Sequence, residues 1–108
     1  ELGDGILGAY GVEAILAEPD IRQALTAVVL SANDPVAAWG GVKLLRERFD
    51  IEPCAVTGPA TDNAVGVNII QDQMGVRAVN AMAAGAELGD HLIASLGLGA
   101  QLAQAAAE

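Results

Sequence analysis

Two stretches decide the fold: residues 30–42, L-S-A-N-D-P-V-A-A-W-G-G-V, and residues 56–67, V-T-G-P-A-T-D-N-A-V-G-V. In each, a short apolar segment leads into a polar loop that bears an acid, and a helical pattern follows. The continuous apolar run before the first loop is typical of a strand buried on both faces of a parallel sheet. Two such strand–loop–helix units indicate βαβ construction.

The rest of the chain extends this alternation to the order α-β-α-β-α-β-α. Apolar runs predict strands at residues 26–31, 54–57 and 76–80. Helical spacing predicts a helix over 11–25 that is interrupted at Pro19, where Asp20 can cap its second part. It predicts a helix that begins at Asp34-Pro35, with an apolar stripe of Ala38, Val42, Leu45 and Phe49. A third predicted helix is capped by Thr61 or Asp62 and ended by Gly75, and its apolar positions are Val65, Val67, Ile69, Ile70 and Met74. One or two helices follow over 84–107. The predicted fold is α/β in three layers, a small, mostly parallel sheet of about three or four strands of Rossmann-like or flavodoxin-like βα units.

Composition supports one α/β domain over residues 1–108, because 53% of the residues are apolar and the length is common for a domain. The formal charge of −9 repels nucleic-acid phosphates and anionic membrane surfaces, so neither is an expected partner. Lys43, Arg46 and Arg48 cluster near the end of a predicted helix, where cations complement the negative helix end, and an anion site is the alternative. The single cysteine, Cys54, excludes an internal disulfide and favours a buried, inert thiol. With no apolar run as long as a membrane span and no visible signal peptide, we expect a cytoplasmic protein.

The chain begins E-L-G-D-G, with no initiator Met and no complete strand before Gly3. Three strands with their helices also make a thin domain. We therefore expect the carboxyl-terminal part of a larger protein, or a protomer that pairs with another copy in a homo-oligomer.

Polar residues gather where the predicted strands end. The carboxyl ends of parallel strands lie on one edge of a sheet, and ligands of open α/β sheets bind outside that edge. The candidate ligand-binding residues there are Asn33, Asp34, Thr61, Asp62, Asn63 and Asn80. The alternative is that these side chains only cap helices and shape turns. Both interpretations stay open from the sequence.

Glycines inside the predicted helices carry the same ambiguity. Gly40, Gly41 and Gly66 each cost about 1 kcal/mol relative to alanine in a helix interior. Close approach of a helix to the sheet is one reason for them, and room for a ligand at the helix start is the other.

The carboxylates limit the ligand class. Asp34 and Asp62 would repel a bare phosphate, but they suit a Mg²⁺ ion that carries nucleotide phosphates, or the hydroxyl and amine groups of a sugar, base or amino acid. Neither the GxxxxGK[ST] nor the GxGxxG phosphate-loop pattern occurs, and no His/Cys cluster predicts a metal site. The cofactor therefore remains open, with Mg²⁺ and a nucleotide as one option.

The segment E-L-G-D-G-I-L-G at residues 1–8, followed by T-A-V-V-L-S-A-N-D at 26–34, resembles the carboxyl half of dethiobiotin-synthetase-like P-loop NTPases. The resemblance covers about the first two-thirds of the chain. It implies that Asp4 matches the acidic loop near the metal of that family, and that Asn33 or Asn63 lies toward the nucleotide base. The Walker A lysine loop of the family is absent, so this chain alone would not hydrolyse a nucleotide.

Two functions follow as hypotheses. The first is a ligand-binding α/β domain, part of an enzyme that uses a nucleotide or small metabolite, with its site at the carboxyl edge of the sheet. The second is an assembly module without a ligand, because the Ala- and Leu-rich segment 86–107 could form a helix–helix contact between chains.

Overall fold

The computed structural model describes residues 1–98, 105 and 107 of the chain. Within this part the fold mixes helices with a small sheet, as the α/β prediction requires. Its elements in chain order are α1 Val12–Ala17, α2 Pro19–Ala24, β1 Val29–Ser31, α3 Pro35–Phe49, β2 Ala55–Thr57, a 3-10 turn Pro59–Thr61, α4 Ala64–Ile69, a π turn Ile70–Met74, β3 Arg77–Ala78 and α5 Gly85–Ser95.

The sheet has three strands in the order β1-β2-β3, and both pairs are parallel. Leu30 lies opposite Val56, which lies opposite Ala78. All three strands therefore end on the same side, and the loops that follow β1 and β2 share one edge of the sheet. This confirms the central prediction drawn from the two quoted stretches.

The strands are shorter than their apolar runs. Residues 26–28 and residue 54 precede the regular ladder, although the backbone N–H of Cys54 still donates to the Val28 carbonyl at 2.8 Å. Residues 76, 79 and 80 flank the two-residue β3 in the same way. Val76 and Val79 are buried although they lie outside the regular strand, so the length of an apolar run does not define the length of a strand. The prediction that β1 is buried on both faces is wrong, because Val29 and Ser31 are exposed in this edge strand.

Helix α3 follows the predicted pattern closely. The buried residues of α3 are Ala38, Val42, Leu45 and Phe49, the four positions of the apolar stripe. It ends at Asp50, whose φ of 54° places it in the left-handed region. The Arg46 guanidinium, in the last turn, donates two hydrogen bonds to Glu52, at 2.7 and 2.6 Å, and ties the helix end to the following turn.

The main core lies between one face of the sheet and the helices α3 and α4. Val56 and Ala78 contribute from the strands, Val42 from α3, and Ile70 from the turn that continues α4. Helix α3 packs against the turn Ile70–Met74 that continues α4, and both contribute buried residues to this core. A second cluster joins Val12 and Leu16 of α1 to the carboxyl-terminal half of α3.

Helix α5 is attached to the sheet by polar side chains. Ala55 and Arg77 form a register pair and alternate with the core residues, so their side chains project to the face opposite the main core. Glu87 of α5 pairs with Arg77 at 2.7 Å, and the His91 ring bonds the Cys54 carbonyl at 2.8 Å. No residue of α5 is buried, however. The prediction of further helix toward residue 107 falls largely on residues outside the described part.

Helix starts required two corrections. Asp20 was predicted to cap the helix after Pro19, but α2 begins at Pro19 itself, and its capping position, Glu18, makes no side-chain capping bond. Thr61 or Asp62 was predicted to cap the next helix, but Asn63 does so. The 3-10 turn Pro59–Thr61 delays this helix start, and a turn of that kind leaves no periodic signal in the sequence.

Close packing explains two of the three helical glycines. A Cβ on Gly41 would come within 2.7 Å of the Leu30 side chain on β1, and one on Gly66 would overlap the Ala60 carbonyl oxygen. A Cβ on Gly40 would meet nothing within 4 Å. Close approach therefore accounts for Gly41 and Gly66 but not for Gly40.

Among the described helices, none combines the length and the apolar character needed to cross a membrane.

Candidate functional site

An open cavity of about 520 Å³ lies at the carboxyl edge, between the first turns of α3 and α4. Both loops singled out in the sequence contribute to its wall. The lining residues are Asn33, Asp34, Pro35, Pro59, Ala60, Asn63, Val65 and Gly66. Its volume falls in the range of small-molecule sites, which spans about 300–1,000 Å³.

Asp34 and Asn63 occupy equivalent places on the two sides of this cavity. Oδ1 of Asp34 accepts a hydrogen bond from the Ala37 backbone N–H at 2.8 Å, and Oδ1 of Asn63 accepts one from the Gly66 N–H at 3.0 Å. Each is therefore a helix cap that bonds the third residue of its helix. The equivalent residues of the two βα units are therefore Asp34 and Asn63.

Capping uses only one polar atom of each side chain. Within the described part of the chain, Oδ2 of Asp34 and Nδ2 of Asn63 make no hydrogen bond. Asn33 is exposed beside them and its amide likewise has no partner among those residues. The cavity thus presents an anionic acceptor, an amide donor group and a second amide, which can hold hydroxyl or amine groups of a ligand.

Three other predicted site residues build a structural network next to the cavity without lining it. Thr61 is only 3% exposed, and its hydroxyl donates to the Gly58 carbonyl at 2.7 Å. Asp62 accepts from Nδ2 of Asn80 at 2.9 Å, while Oδ1 of Asn80 accepts from the Met82 and Ala83 N–H groups. The Asn80–Asp62 bond fastens the loop after β3 to the segment that precedes α4.

Asp4 does not line the cavity. Ile6, two residues further on, packs against the second cluster with Phe49 and Ile51, at the carboxyl-terminal end of α3. The cavity lies at the amino-terminal end of the same helix. The structure therefore brings Asn33, Asp34 and Asn63 together and leaves Asp4 apart from them.

Val65 is the lining residue that sequence reasoning misassigned. It was counted in the apolar stripe of its helix, yet it is 68% exposed at the cavity wall. The buried positions of this segment are Gly66, Ile70 and Met74, at spacings of four. Val65 is out of phase with that stripe, and this offset was the available signal.

The structure also joins Cys54 and His91, which are distant in sequence. The His91 ring contacts the Cys54 carbonyl, and the thiol is half-buried rather than fully buried. This contact lies at the start of β2, at the opposite edge of the sheet from the cavity. It therefore belongs to the attachment of α5 and not to the candidate site.

The basic residues near the end of α3 are engaged by glutamates. Arg46 pairs with Glu52 and Arg48 with Glu13, each at 2.6 Å, and Lys43 lies 3.4 Å from Glu47. This pairing favours the structural role predicted for this cluster over an anion site.

In the part of the chain that the structure describes, no group of three His, Cys, Asp or Glu side chains could hold a metal ion. Comparison of the chain with protein-family models, curated proteins and solved structures gives no match.

Proposed function

We propose that this chain is a ligand-binding α/β domain, part of an enzyme that uses a nucleotide or another small metabolite. The observation that carries the proposal is the meeting of the loops after β1 and β2 in one cavity between two helix starts. Ligands of parallel α/β sheets bind at this edge because loops from neighbouring strands converge there on a rigid scaffold.

The cavity chemistry favours a ligand with hydroxyl or amine groups. Asp34 Oδ2 would accept from such a donor, and the Asn63 and Asn33 amides would bond its oxygen atoms. Pro35, Pro59 and Val65 supply apolar walls suited to a ring. A nucleoside or sugar-like metabolite combines these features, whereas a bare phosphate would meet the carboxylate of Asp34.

A resident Mg²⁺ ion fits these residues poorly. Asp34 is the one carboxylate among the described residues that line the cavity, and one of its oxygen atoms already caps α3. Mg²⁺ sites use one or two carboxylates together with substrate phosphates and water. Any Mg²⁺ here would have to arrive with the phosphates of a nucleotide.

The proposal also covers the layer arrangement, the ligand and the location of the protein. We propose a three-layer, Rossmann-like arrangement in which α5 forms the outer layer over the second face of the sheet. The resemblance of residues 1–8 and 26–34 to dethiobiotin-synthetase-like NTPases supports a nucleotide as the ligand. A cytoplasmic location is part of the same proposal.

Two substitutions separate ligand binding from helix capping. Asp34→Asn and Asn63→Asp each keep the Oδ1 acceptor that caps the helix, and Asn and Asp are nearly equal as caps. Each changes only the side-chain atom that capping does not use, a carboxylate oxygen in one case and an amide nitrogen in the other. The free energy of unfolding should therefore stay within about 0.5 kcal/mol of the parent value.

Thermal-shift measurements with ATP and Mg²⁺, ATP alone, adenosine, ribose and a panel of amino acids would reveal the ligand class. A probe at 100 times its Kd stabilises by about 2.7 kcal/mol, or roughly 10 °C in Tm for a domain of this size. Asp34→Asn should then weaken binding of that probe by roughly ten- to a hundredfold, because a bond to a charged group is lost. No shift with any probe at millimolar concentration, or binding that both variants leave unchanged, would contradict the proposal.

The assembly hypothesis is the second candidate, and α5 is the feature that favours it. This helix carries Leu88, Leu92 and Ile93, all only half-buried. A homo-oligomer would cover them by helix–helix packing between two copies. Sedimentation velocity decides between the two, since a monomer at tens of micromolar rules out stable assembly through α5.

A further inference from the structure

Helix α5 is attached to the sheet by polar contacts rather than by burial. None of its eleven residues is buried. The described contacts that fasten its side chains to the sheet are the His91 bond to the Cys54 carbonyl, at 2.8 Å, and the Glu87–Arg77 ion pair, at 2.7 Å. Arg77 and Glu87 are about half exposed, and exposed ion pairs contribute at most about 1 kcal/mol.

The helix is also weak by itself. Eleven residues is below the length at which an isolated helix persists in water, about 12–15 residues. Gly85 and Gly89 lower its propensity further. Its capping position is Ala84, which offers no side-chain acceptor, whereas α3 and α4 are capped by Asp34 and Asn63.

We infer that α5 is a reversible cover on the second face of the sheet, which detaches and unfolds locally while the rest of the domain stays folded. The main core between the sheet and the helices α3 and α4 contains no residue of α5, so detachment leaves that core intact. Detachment breaks the His91 hydrogen bond and frees the Cys54 carbonyl. Elements with few buried apolar contacts open in this sub-global way.

Native-state hydrogen exchange of the full chain tests this, with the amides of residues 91–95 compared with the buried amides of α3. Gly89→Ala should slow exchange at 91–95 by about fivefold, because alanine favours the helix and its Cβ would meet nothing within 4 Å. His91→Ala should accelerate exchange there by roughly two- to tenfold, and His91→Gln, which restores an N–H donor, should recover part of that loss.

Gly40→Ala is the matched control. It adds the same methyl group in α3, where the new Cβ also meets nothing, and it raises global stability without touching α5. Under local opening this variant leaves exchange at 91–95 unchanged while it slows exchange in the α3 core. Equal protection of α5 and α3, or slowing of both by Gly40→Ala, would overturn the inference because α5 would then open only with global unfolding. Protection of α5 that grows with protein concentration would also overturn it, since a second copy would then be the cover.

Discussion

Gly58 joins β2 to the 3-10 turn and holds the two cavity loops together, so its replacement by alanine is the most informative perturbation of the fold. Its φ is 90°, a region that other residues rarely adopt. An added Cβ would lie 2.7 Å from the Ala32 carbonyl oxygen and 2.7 Å from Oγ of Ser31. That same carbonyl accepts the backbone N–H of Ala60 at 3.0 Å, so it cannot move away without loss of a bond between the two loops.

The expected cost has two parts, which two other glycines separate. Positive-φ strain contributes about 1–3 kcal/mol and the overlap with backbone atoms about 1–3 kcal/mol, so Gly58→Ala should lose roughly 2–6 kcal/mol. Gly75 has a φ of 66° but open space around its Cβ position, so Gly75→Ala should lose only about 1–2 kcal/mol. Gly40→Ala meets neither problem and should gain up to about 1 kcal/mol.

Urea and thermal unfolding followed by far-UV circular dichroism would measure this series. At about 4 °C per kcal/mol, Gly40→Ala should raise Tm by up to about 4 °C, Gly75→Ala should lower it by about 4–8 °C, and Gly58→Ala should lower it by about 8 °C or more. An unchanged urea m-value would show that the unfolding reaction itself is the same. If Gly58→Ala were no more destabilising than Gly75→Ala, the packing of the β2 exit against Ala32 would be wrong, and with it the shared cavity.

Three further outcomes test the helix cap, an ion pair and the core. Asn63→Ala should lower the free energy of unfolding by about 1 kcal/mol while Asn63→Asp leaves it nearly unchanged, and equal losses in urea titrations would refute the capping role. The hydrogen bonds from Arg46 lower the pKa of the Glu52 carboxyl in the folded protein. The small stabilisation from this exposed ion pair is therefore present above the ordinary Glu pKa of 4.5. It is lost as the pH falls through the lower pKa of the folded state. Unfolding of the parent and Glu52→Gln should therefore differ by less than about 1 kcal/mol at neutral pH and converge in acid, and a gap that widens in acid would contradict the assignment. Leu45→Ala should cost about 2–5 kcal/mol in chemical denaturation, because Leu45 is 2% exposed, and a loss below 1 kcal/mol would place it outside the core.

Local patterns in the chain were enough to predict the parallel sheet, the helix α3 and the convergence of the two loops. Asp34 followed by Pro35 and by four apolar residues at helical spacing specifies one helix and the face that it buries. Parallel pairing then requires that the exits of β1 and β2 share an edge, so the meeting of Asn33 and Asn63 at one cavity was predictable.

Tertiary structure alone decided which polar side chain performs which task. Asn63 rather than Thr61 or Asp62 became the cap because a 3-10 turn shifts the start of α4, and such a turn depends on packing beneath Ala60 rather than on periodicity. Asp4 was assigned by resemblance to a family and not by a local signal, and the structure does not bring it to the cavity. The low burial of α5 could not be predicted from the sequence either. A Leu-rich helical pattern shows which face of a helix is apolar, but it does not show how much of that face the neighbouring strands will bury.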